Sequence, residues 1–188
     1  IHYLPYIALI NNIQPDHLDI YGSIKNIIKA FQKLPPLIPN KGLLVLNAGD
    51  KNSTTLKKEA KCKIETFGQG GSVTAKNVKT NELGLEFELY WKRKNLGKIK
   101  TSLLGKHNIE NILSASAIAL NMAISFKKLS DAIATFEGVK RRLEIIYDRN
   151  NIKIIDDFAH NPDKVLASLS ALRNHFPKHR ITAIFEPR

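Results

Sequence analysis

The chain has 188 residues, of which 43% are hydrophobic, so it is long enough for one domain or two small ones with a buried core. A single cysteine, Cys62, excludes an internal disulfide and favours a reducing cytoplasm. No apolar run approaches the roughly 20 residues that cross a bilayer, so we expect neither a signal peptide nor a membrane partner.

The net charge of +12 suggests an anionic partner. However, the basic residues comprise 22 Lys and only 7 Arg, spread along the sequence, whereas nucleic-acid surfaces favour clustered Arg with aromatic side chains. The densest basic segment, residues 92–106, is predicted to be a hairpin with Lys on its solvent face. We therefore predict no nucleic-acid partner, and a basic nucleic-acid-binding module remains the non-enzymatic alternative.

The first part of the chain predicts a strand, a helix and a second strand. Residues 6–13 form the first strand candidate, Ser23 is the predicted cap of the helix, and Pro35-Pro36 is its predicted stop. The second strand covers residues 43–46. Because such connections normally join parallel strands, we expect these two strands to pair in parallel.

Short strands follow, and they are predicted at residues 62–67, 72–78, 85–91 and 98–104. The last two are expected to form a hairpin with its turn at Lys94-Asn95. Three glycines, Gly68, Gly70 and Gly71, might indicate a dinucleotide-binding loop, but the third glycine of that pattern would fall on Val73. They are therefore predicted to be turn residues.

The longest predicted helix opens at residues 104–111 and continues through Ala123. Asn108 and Asn111 share one of its faces because they are three residues apart. Ser130 is the predicted cap of a further short helix.

A boundary between two units is predicted at residues 136–138. Beyond it, residues 139–144 start a strand and residues 145–155 form a hairpin. In an extended segment successive side chains face opposite sides, so Arg142 is expected on the polar face and Arg141 on the apolar face. Only Arg142 should therefore meet a ligand.

The stretch after this hairpin combines chain geometry with chemistry. Residues 152–155 predict a strand, and Asn161-Pro162 predicts the cap and first turn of a helix. Asp156, Asp157 and His160 would lie at the carboxyl end of the strand, where the helix N-terminus favours phosphate. A solvated turn with an Asn cap remains an equal alternative. The expected apolar face of the helix comprises Val165, Leu166, Leu169 and Leu172.

Four motifs, taken in order, resemble the Mur ligase family of ATP-dependent amide-forming enzymes. They are Asn12-Ile-Gln-Pro-Asp-His-Leu-Asp19, Leu104-Gly-Lys-His-Asn-Ile-Glu-Asn111, Gly138-Val-Lys-Arg-Arg-Leu-Glu144 and Asp156-Asp-Phe-Ala-His-Asn-Pro162. The resemblance implies an α/β fold, with part of a central ATPase domain in residues 1–137 and the start of a Rossmann-like C-terminal domain in residues 138–188. It also implies a piece of a larger protein, whose phosphate loop and UDP-sugar domain precede residue 1.

The resemblance also implies roles for individual residues. His17 would bind Mg²⁺, Asn111 would contact the adenine of ATP, and Asn108 would support the same turn. Asp157 would hold the ribose, and Arg142 would approach the γ-phosphate. The implied nucleotide-binding residues are Asn108, Asn111, Arg142, Asp157 and His160, and the implied catalytic residues are Arg142 and His160.

Within the family, three segments look most like the murein peptide ligases: Val139-Lys-Arg-Arg-Leu-Glu144, the Asp-Asp-Phe-Ala-His turn and the closing Phe185-Glu-Pro-Arg188. These enzymes join UDP-N-acetylmuramate to the tripeptide L-alanyl-γ-D-glutamyl-meso-diaminopimelate. The alternatives are the ligase that adds L-alanine to UDP-N-acetylmuramate and a folylpolyglutamate-type synthase. Chemistry through an acyl phosphate fits the implied residues, because Mg²⁺ and Arg stabilise charge on a transferring phosphoryl group.

Overall fold

The structure, a computed structural model, describes residues 3–160 and 162–186. Within them, a six-stranded mixed sheet is followed by a two-stranded sheet. The strands are β1 (Ile7–Ile10), β2 (Leu43–Asn47), β3 (Lys63–Phe67), β4 (Val73–Asn81), β5 (Gly84–Trp91), β6 (Lys94–Thr101), β7 (Glu144–Arg149) and β8 (Ile152–Asp156). The α-helices are α1 (Leu18–Tyr21), α2 (Ile24–Phe31), α3 (Lys51–Thr54), α4 (His107–Asn121), α5 (Phe126–Thr135) and α6 (Pro162–His175).

The six-stranded sheet follows the chain order from β1 to β6. Strands β1, β2 and β3 pair in parallel, with Ile7 opposite Leu43 and Leu43 opposite Lys63. Strand β4 joins them through one parallel pair, Phe67 with Val73, and β4, β5 and β6 are antiparallel. The predicted parallel pairing of the first two strands is confirmed.

Strand β2 lies between two hydrophobic cores, because successive side chains leave a strand on opposite faces. Leu44 and Leu46 belong to the core that includes Ile27 of α2. Leu43 and Val45 belong to the core shared with α4 and the antiparallel strands. All residues of β2 are buried, as expected for a parallel strand covered on both faces.

The hairpin of β5 and β6 turns two residues earlier than predicted. Lys92 and Arg93 form the turn, with φ of 50° and 69°, because a two-residue loop that matches the strand twist needs positive φ at both positions. Lys94-Asn95 instead opens β6. The prediction of solvent-facing Lys is confirmed, since the Lys98 side chain is 54% exposed and its Nζ lies 2.9 Å from a Glu86 carboxylate oxygen.

Two serine caps were predicted, and one is displaced. Ser23 Oγ accepts a hydrogen bond from the Asn26 N–H at 3.3 Å, which confirms the first. Helix α5 is capped by Ser125, whose Oγ accepts from the Lys128 N–H at 3.4 Å. The prediction for Ser130 was wrong, because the extended backbone that frees a capping side chain occurs at Ser125.

Residues 139–143 do not form the predicted strand. Arg141 and Leu143 have φ of 60° and 51°, which an extended strand cannot accommodate, and β7 begins only at Glu144. Strict alternation of side chains therefore does not apply to Arg141 and Arg142. The predicted hairpin is confirmed, with β7 and β8 antiparallel.

The second unit, formed by β7, β8 and α6, has a small core. Leu166, predicted to face that core, is 67% exposed, and residues 181–186 contain no strand. The buried residues of this core are Leu104, Leu143, Ala171 and Phe176.

None of the helices in the described ranges is long and apolar enough to cross a membrane.

Candidate functional site

One cavity of about 440 Å³ lies where the start of α4, the segment 136–142 and the first turns of α6 meet. Its volume falls in the range of small-molecule sites. Four of the five predicted nucleotide-binding residues line it together. The lining residues used below are Leu103, His107, Asn108, Asn111, Phe136, Val139, Arg142, Asp157, Lys164 and Ser168.

The first turns of α4 present Asn108 and Asn111 to this cavity. The Asn108 amide donates to the Leu104 carbonyl at 2.8 Å, and the Asn111 amide donates to the Asn108 side-chain oxygen at 3.0 Å. Gly105 allows the turn that leads into α4, because its φ is +90° and a Cβ there would lie 2.6 Å from His107 Cε1. The predicted common face of the two asparagines is confirmed.

Asp157 contributes to the cavity from the turn after β8 and also holds that turn together. Its Oδ2 accepts from the Leu143 N–H at 2.9 Å. Its Oδ1 accepts from the Ala159 N–H at 2.8 Å and from the Ser168 hydroxyl at 3.0 Å. A carboxylate offers about four acceptor positions. One position on Oδ2 therefore remains for a ligand hydroxyl.

Arg142 lines the cavity, whereas Arg141 lies outside the set of lining residues. Arg141 Nε lies 3.7 Å from an Asp156 carboxylate oxygen, and its guanidinium lies 5.0 Å from the centre of the Phe158 ring. The prediction that Arg141 belongs to an apolar face was wrong, since its side chain is 62% exposed and ion-paired. The Arg142 guanidinium also lies near the Phe158 ring, 5.7 Å from its centre, so the two arginines differ in lining the cavity and not in facing opposite sides of a strand.

His107 also lines the cavity, and its pKa is lowered chiefly because burial removes the ring from water. The Asp157 carboxylate opposes this effect, the Arg142 charge reinforces it, and the Glu110 carboxylate opposes it weakly. The folded protein therefore favours the neutral imidazole.

His160 is placed beside this cavity but is absent from its lining. Its Nδ1 lies 2.9 Å from the Phe158 carbonyl oxygen, and its ring packs edge-on against the Phe158 ring with centroids 5.1 Å apart. The role implied for His160 stays a prediction. The predicted cap Asn161 lies outside the described residues, and α6 begins at Pro162.

His17 lies in a second cavity of about 570 Å³, formed by the loop after β1 and by α2. The residue has a left-handed backbone with φ of 49°, and its N–H donates to Asp16 Oδ1 at 3.0 Å. Lys164 of α6 lines both cavities. The two cavities are therefore neighbours that share one cationic side chain.

Both units match known protein families. Residues 2–119 match the Mur ligase middle domain, and residues 141–188 match the Mur ligase glutamate ligase domain. The chain belongs to the Mur ligase family. Members of this family are ATP-dependent amide ligases that use Mg²⁺.

Three relatives illustrate the range of similar Mur ligases. The UDP-N-acetylmuramate–L-alanine ligase of Clostridium acetobutylicum is 41% identical over 189 residues, which cover 100% of this chain and 41% of that protein. The solved UDP-N-acetylmuramate–alanine ligase of Thermotoga maritima is 27% identical with a TM-score of 0.86, over 98% of this chain and 42% of that one. A murein peptide ligase from Psychrobacter arcticus is 30% identical with a TM-score of 0.67, over 100% of this chain and 38% of that one. The chain thus spans about two fifths of their length.

The first cavity of this Mur ligase chain suits the adenosine part of ATP. Asn111 and Asp157 offer hydrogen-bonding groups suited to a base and to a ribose hydroxyl. Arg142 and Lys164 bring positive charge to the same cavity, which suits phosphate. The apolar surface for a base is provided by Leu103, Phe136 and Val139.

A complete magnesium site is not formed by the described part of this Mur ligase. There, no group of three or more His, Cys, Asp or Glu side chains could hold a metal ion. His17 has the chemistry of a single ligand, because a neutral imidazole nitrogen can coordinate a cation while the other nitrogen is held by a neighbouring acceptor.

Sequence reasoning did not identify Lys164 and Ser168, which line the cavity, or Asn11, which contacts a lining residue. Lys164 and Ser168 are one helical turn apart on α6, so helical periodicity could have found them once the cavity-facing side was known. Asn11 donates to Asn111 Oδ1 at 3.1 Å across 100 residues of sequence. No local pattern signals such a contact.

Proposed function

We propose that this chain is the nucleotide-binding part of an ATP- and Mg²⁺-dependent ligase that joins UDP-N-acetylmuramate to L-alanine in the cytoplasm. The observation that carries the proposal is the convergence of Asn108, Asn111, Arg142 and Asp157 on one cavity between the two units. L-alanine is preferred as the amine because the curated relative at 41% identity bears that activity in its name.

Each of these side chains has a role that its contacts support. Asn111 would hold the adenine, with Asn108 fixing the turn. Asp157 would accept from a ribose hydroxyl through its remaining Oδ2 position. Arg142 would stabilise charge on the transferring phosphoryl group. We further propose that the boundary between the two domains lies between residues 137 and 138, where Gly138 has φ of +101°.

The chemistry of the proposed reaction requires an activated carboxylate. When bound, ATP would transfer its γ-phosphoryl group to the carboxylate of UDP-N-acetylmuramate and leave as ADP. The amine would then attack the acyl phosphate carbon and release phosphate. Positive charge near the phosphates lowers the barrier to this transfer. Arg142 would act there directly, and His17 would contribute one ligand to Mg²⁺.

The murein tripeptide is the second candidate for the amine. The form of the Asp157 turn and the murein peptide ligase relative at 30% identity favour it. The 41% identity of the L-alanine ligase and the higher TM-score of its Thermotoga counterpart favour L-alanine more strongly.

Phosphate release by the full-length protein decides between the candidates. With ATP, Mg²⁺ and UDP-N-acetylmuramate, we expect L-alanine to stimulate release and to give a product one alanine residue heavier by mass spectrometry. Stimulation by the tripeptide alone would support the second candidate, and stimulation by neither amine would reject both. The isolated 188-residue chain should show no turnover.

Replacement of Arg142 tests the phosphate role. In the full-length protein, Arg142→Ala should lower kcat about 10²-fold, since this is the typical loss when a group that stabilises transition-state charge is removed. Arg141→Ala is the matched control, because Arg141 is ion-paired with Asp156 outside the cavity lining. Equal kinetic losses with unchanged melting temperatures would show that Arg142 has no special role.

A further inference from the structure

A row of three asparagine amides leads from the carboxyl end of β1 to the cavity. Asn11 Nδ2 donates to Asn111 Oδ1 at 3.1 Å, and Asn111 Nδ2 donates to Asn108 Oδ1 at 3.0 Å. Asn108 Nδ2 then donates to the Leu104 carbonyl at 2.8 Å. The loop that carries His17 follows Asn11 directly. The row therefore connects that loop with the proposed adenine-binding residue.

The direction of every amide in this row is determined by its last member. A backbone carbonyl can only accept, so Asn108 must turn its Nδ2 towards Leu104 and its Oδ1 towards Asn111. Asn111 must then donate to Asn108 and turn its own Oδ1 towards Asn11. Asn11 completes the row as a donor. The orientation of the Asn111 amide is thus held from both sides.

The unpaired side-chain oxygen of Asn11 indicates that this side chain acts as a hydrogen-bond donor. Within the described residues, Asn11 Oδ1 is buried and has no hydrogen-bond partner. An unsatisfied buried polar atom is unfavourable and calls for an explanation. The need for an N–H donor to Asn111 Oδ1 explains why Asn11 Oδ1 is left unpaired. A reversed Asn11 amide would place its oxygen against the Asn111 oxygen.

The Asn111 amide keeps one N–H and one oxygen lone pair for a ligand after these bonds are made. Adenine presents an amino donor at N6 and an acceptor at N7, which an asparagine amide can bind as a pair. Hypoxanthine has an acceptor oxygen in place of the amino group. An Asn111 amide held in one orientation would therefore accept adenine and repel hypoxanthine.

We propose that Asn11 is a positioning residue that fixes the Asn111 amide and so sets the preference of this site for adenine. The proposal rests on the nucleotide site proposed above. Asn11 acts through Asn111 and is absent from the cavity lining. Its loss should change the choice of base more than the stability of the fold.

The test compares the affinities of the 188-residue chain for ADP and for inosine diphosphate, measured by NMR titration. The wild-type chain should bind ADP about tenfold more tightly, in line with the discrimination that one bidentate amide contact provides. Asn11→Asp replaces the donor by an anionic acceptor, so the preference for ADP should fall to about twofold or less. Asn11→Leu removes the donor without adding charge and should lower the preference in the same direction.

Asn40→Asp is the matched control, because Asn40 is exposed and lies just before the N-terminal end of β2, whereas Asn11 follows the C-terminal end of the parallel strand β1. It should retain the wild-type preference. An unchanged preference in folded Asn11→Asp and Asn11→Leu, judged by melting temperature, would overturn the role of Asn11 and leave the nucleotide site standing. Failure of the wild-type chain to bind either nucleotide would instead overturn the nucleotide site, and the role of Asn11 with it.

Discussion

The six-stranded sheet and the unit formed by β7, β8 and α6 are built from similar residues but are stabilised differently. The sheet has its own cores on both faces, and Leu44, Phe87 and Ile99 are at most 1% exposed. In the second unit, Ile152 and Ile154 of β8 are 58% and 50% exposed. We therefore expect the sheet to be the more stable region and the second unit to depend on its contact with the sheet.

That contact lies next to the candidate nucleotide site. Leu104, three residues before α4, packs with the small core of the second unit. His175 of α6 is 1% exposed, and its Nε2 accepts from the Gly105 N–H at 2.9 Å while its Nδ1 lies 2.6 Å from the Asn81 carbonyl oxygen. The same few residues that dock the second unit therefore also set the position of α4 relative to Arg142 and Asp157.

Matched isoleucine substitutions should give the largest contrast between the two regions. Ile99→Ala in β6 should lower the free energy of unfolding by about 2–5 kcal/mol, because it leaves a cavity in a closed core. Ile154→Ala in β8 should cost less than about 1 kcal/mol, because that side chain is half exposed. Urea denaturation of the chain measures both. Equal losses would contradict the contrast drawn between the regions.

Removal of the His175 side chain should weaken the second unit selectively. His175→Ala leaves the Gly105 N–H and the Asn81 carbonyl without their partner, and an unsatisfied buried group costs about 1–3 kcal/mol. Hydrogen exchange should accelerate in β7, β8 and α6 and stay unchanged in β1 to β3. Asn174→Ala, at an exposed neighbouring position, is the control. Faster exchange throughout the sheet would show that the two regions unfold as one unit.

Glu65 is a buried carboxylate in the sheet and should be needed for its stability. Burial would raise its pKa, but hydrogen bonds from Ser72, Asn121, Trp91 and the Thr66 N–H together lower it. Glu65→Gln replaces one acceptor oxygen by a donor, and a buried donor without an acceptor costs about 1–3 kcal/mol. Thermal unfolding should show a lower Tm than in the control Glu59→Gln, because Glu59 is exposed.

The Glu65 effect should also depend on pH. Since its folded pKa lies below the unfolded value of about 4.3, its stabilisation is present above that pH and is lost as the pH falls through the folded pKa. The difference in Tm between wild type and Glu65→Gln should therefore shrink below about pH 4. A constant difference from neutral to strongly acidic pH would contradict a charged Glu65.

The smallest expected effect concerns His107 at the contact between the regions. Its folded pKa is lowered, so the neutral ring is stabilising above the unfolded value of about 6.5, and this stabilisation is lost as the pH falls through the folded pKa. His107→Gln cannot titrate. Its Tm should therefore fall less than that of the wild type between pH 7.5 and pH 5, and an equal fall would show that His107 does not contribute.

Elements that obey a local period or a local cap could be predicted from the sequence. The Ser23 cap and the shared face of Asn108 and Asn111 follow from spacings of a few residues. The parallel pairing of β1 and β2 follows from the order strand, helix, strand. Two predictions were wrong by a few residues: the turn lies at Lys92 and the helix cap at Ser125. In each case neighbouring residues of suitable type made more than one position plausible.

Contacts between residues that are distant in sequence could not be predicted in this way. The left-handed turn at Arg141 and Leu143 replaced the predicted strand because Leu143 is buried in the contact between the two units. The bond from Asn11 to Asn111 spans 100 residues and has no trace in either local segment. Periodicity reports which side of one element is apolar, but a site between elements depends on packing energies that act across the whole chain.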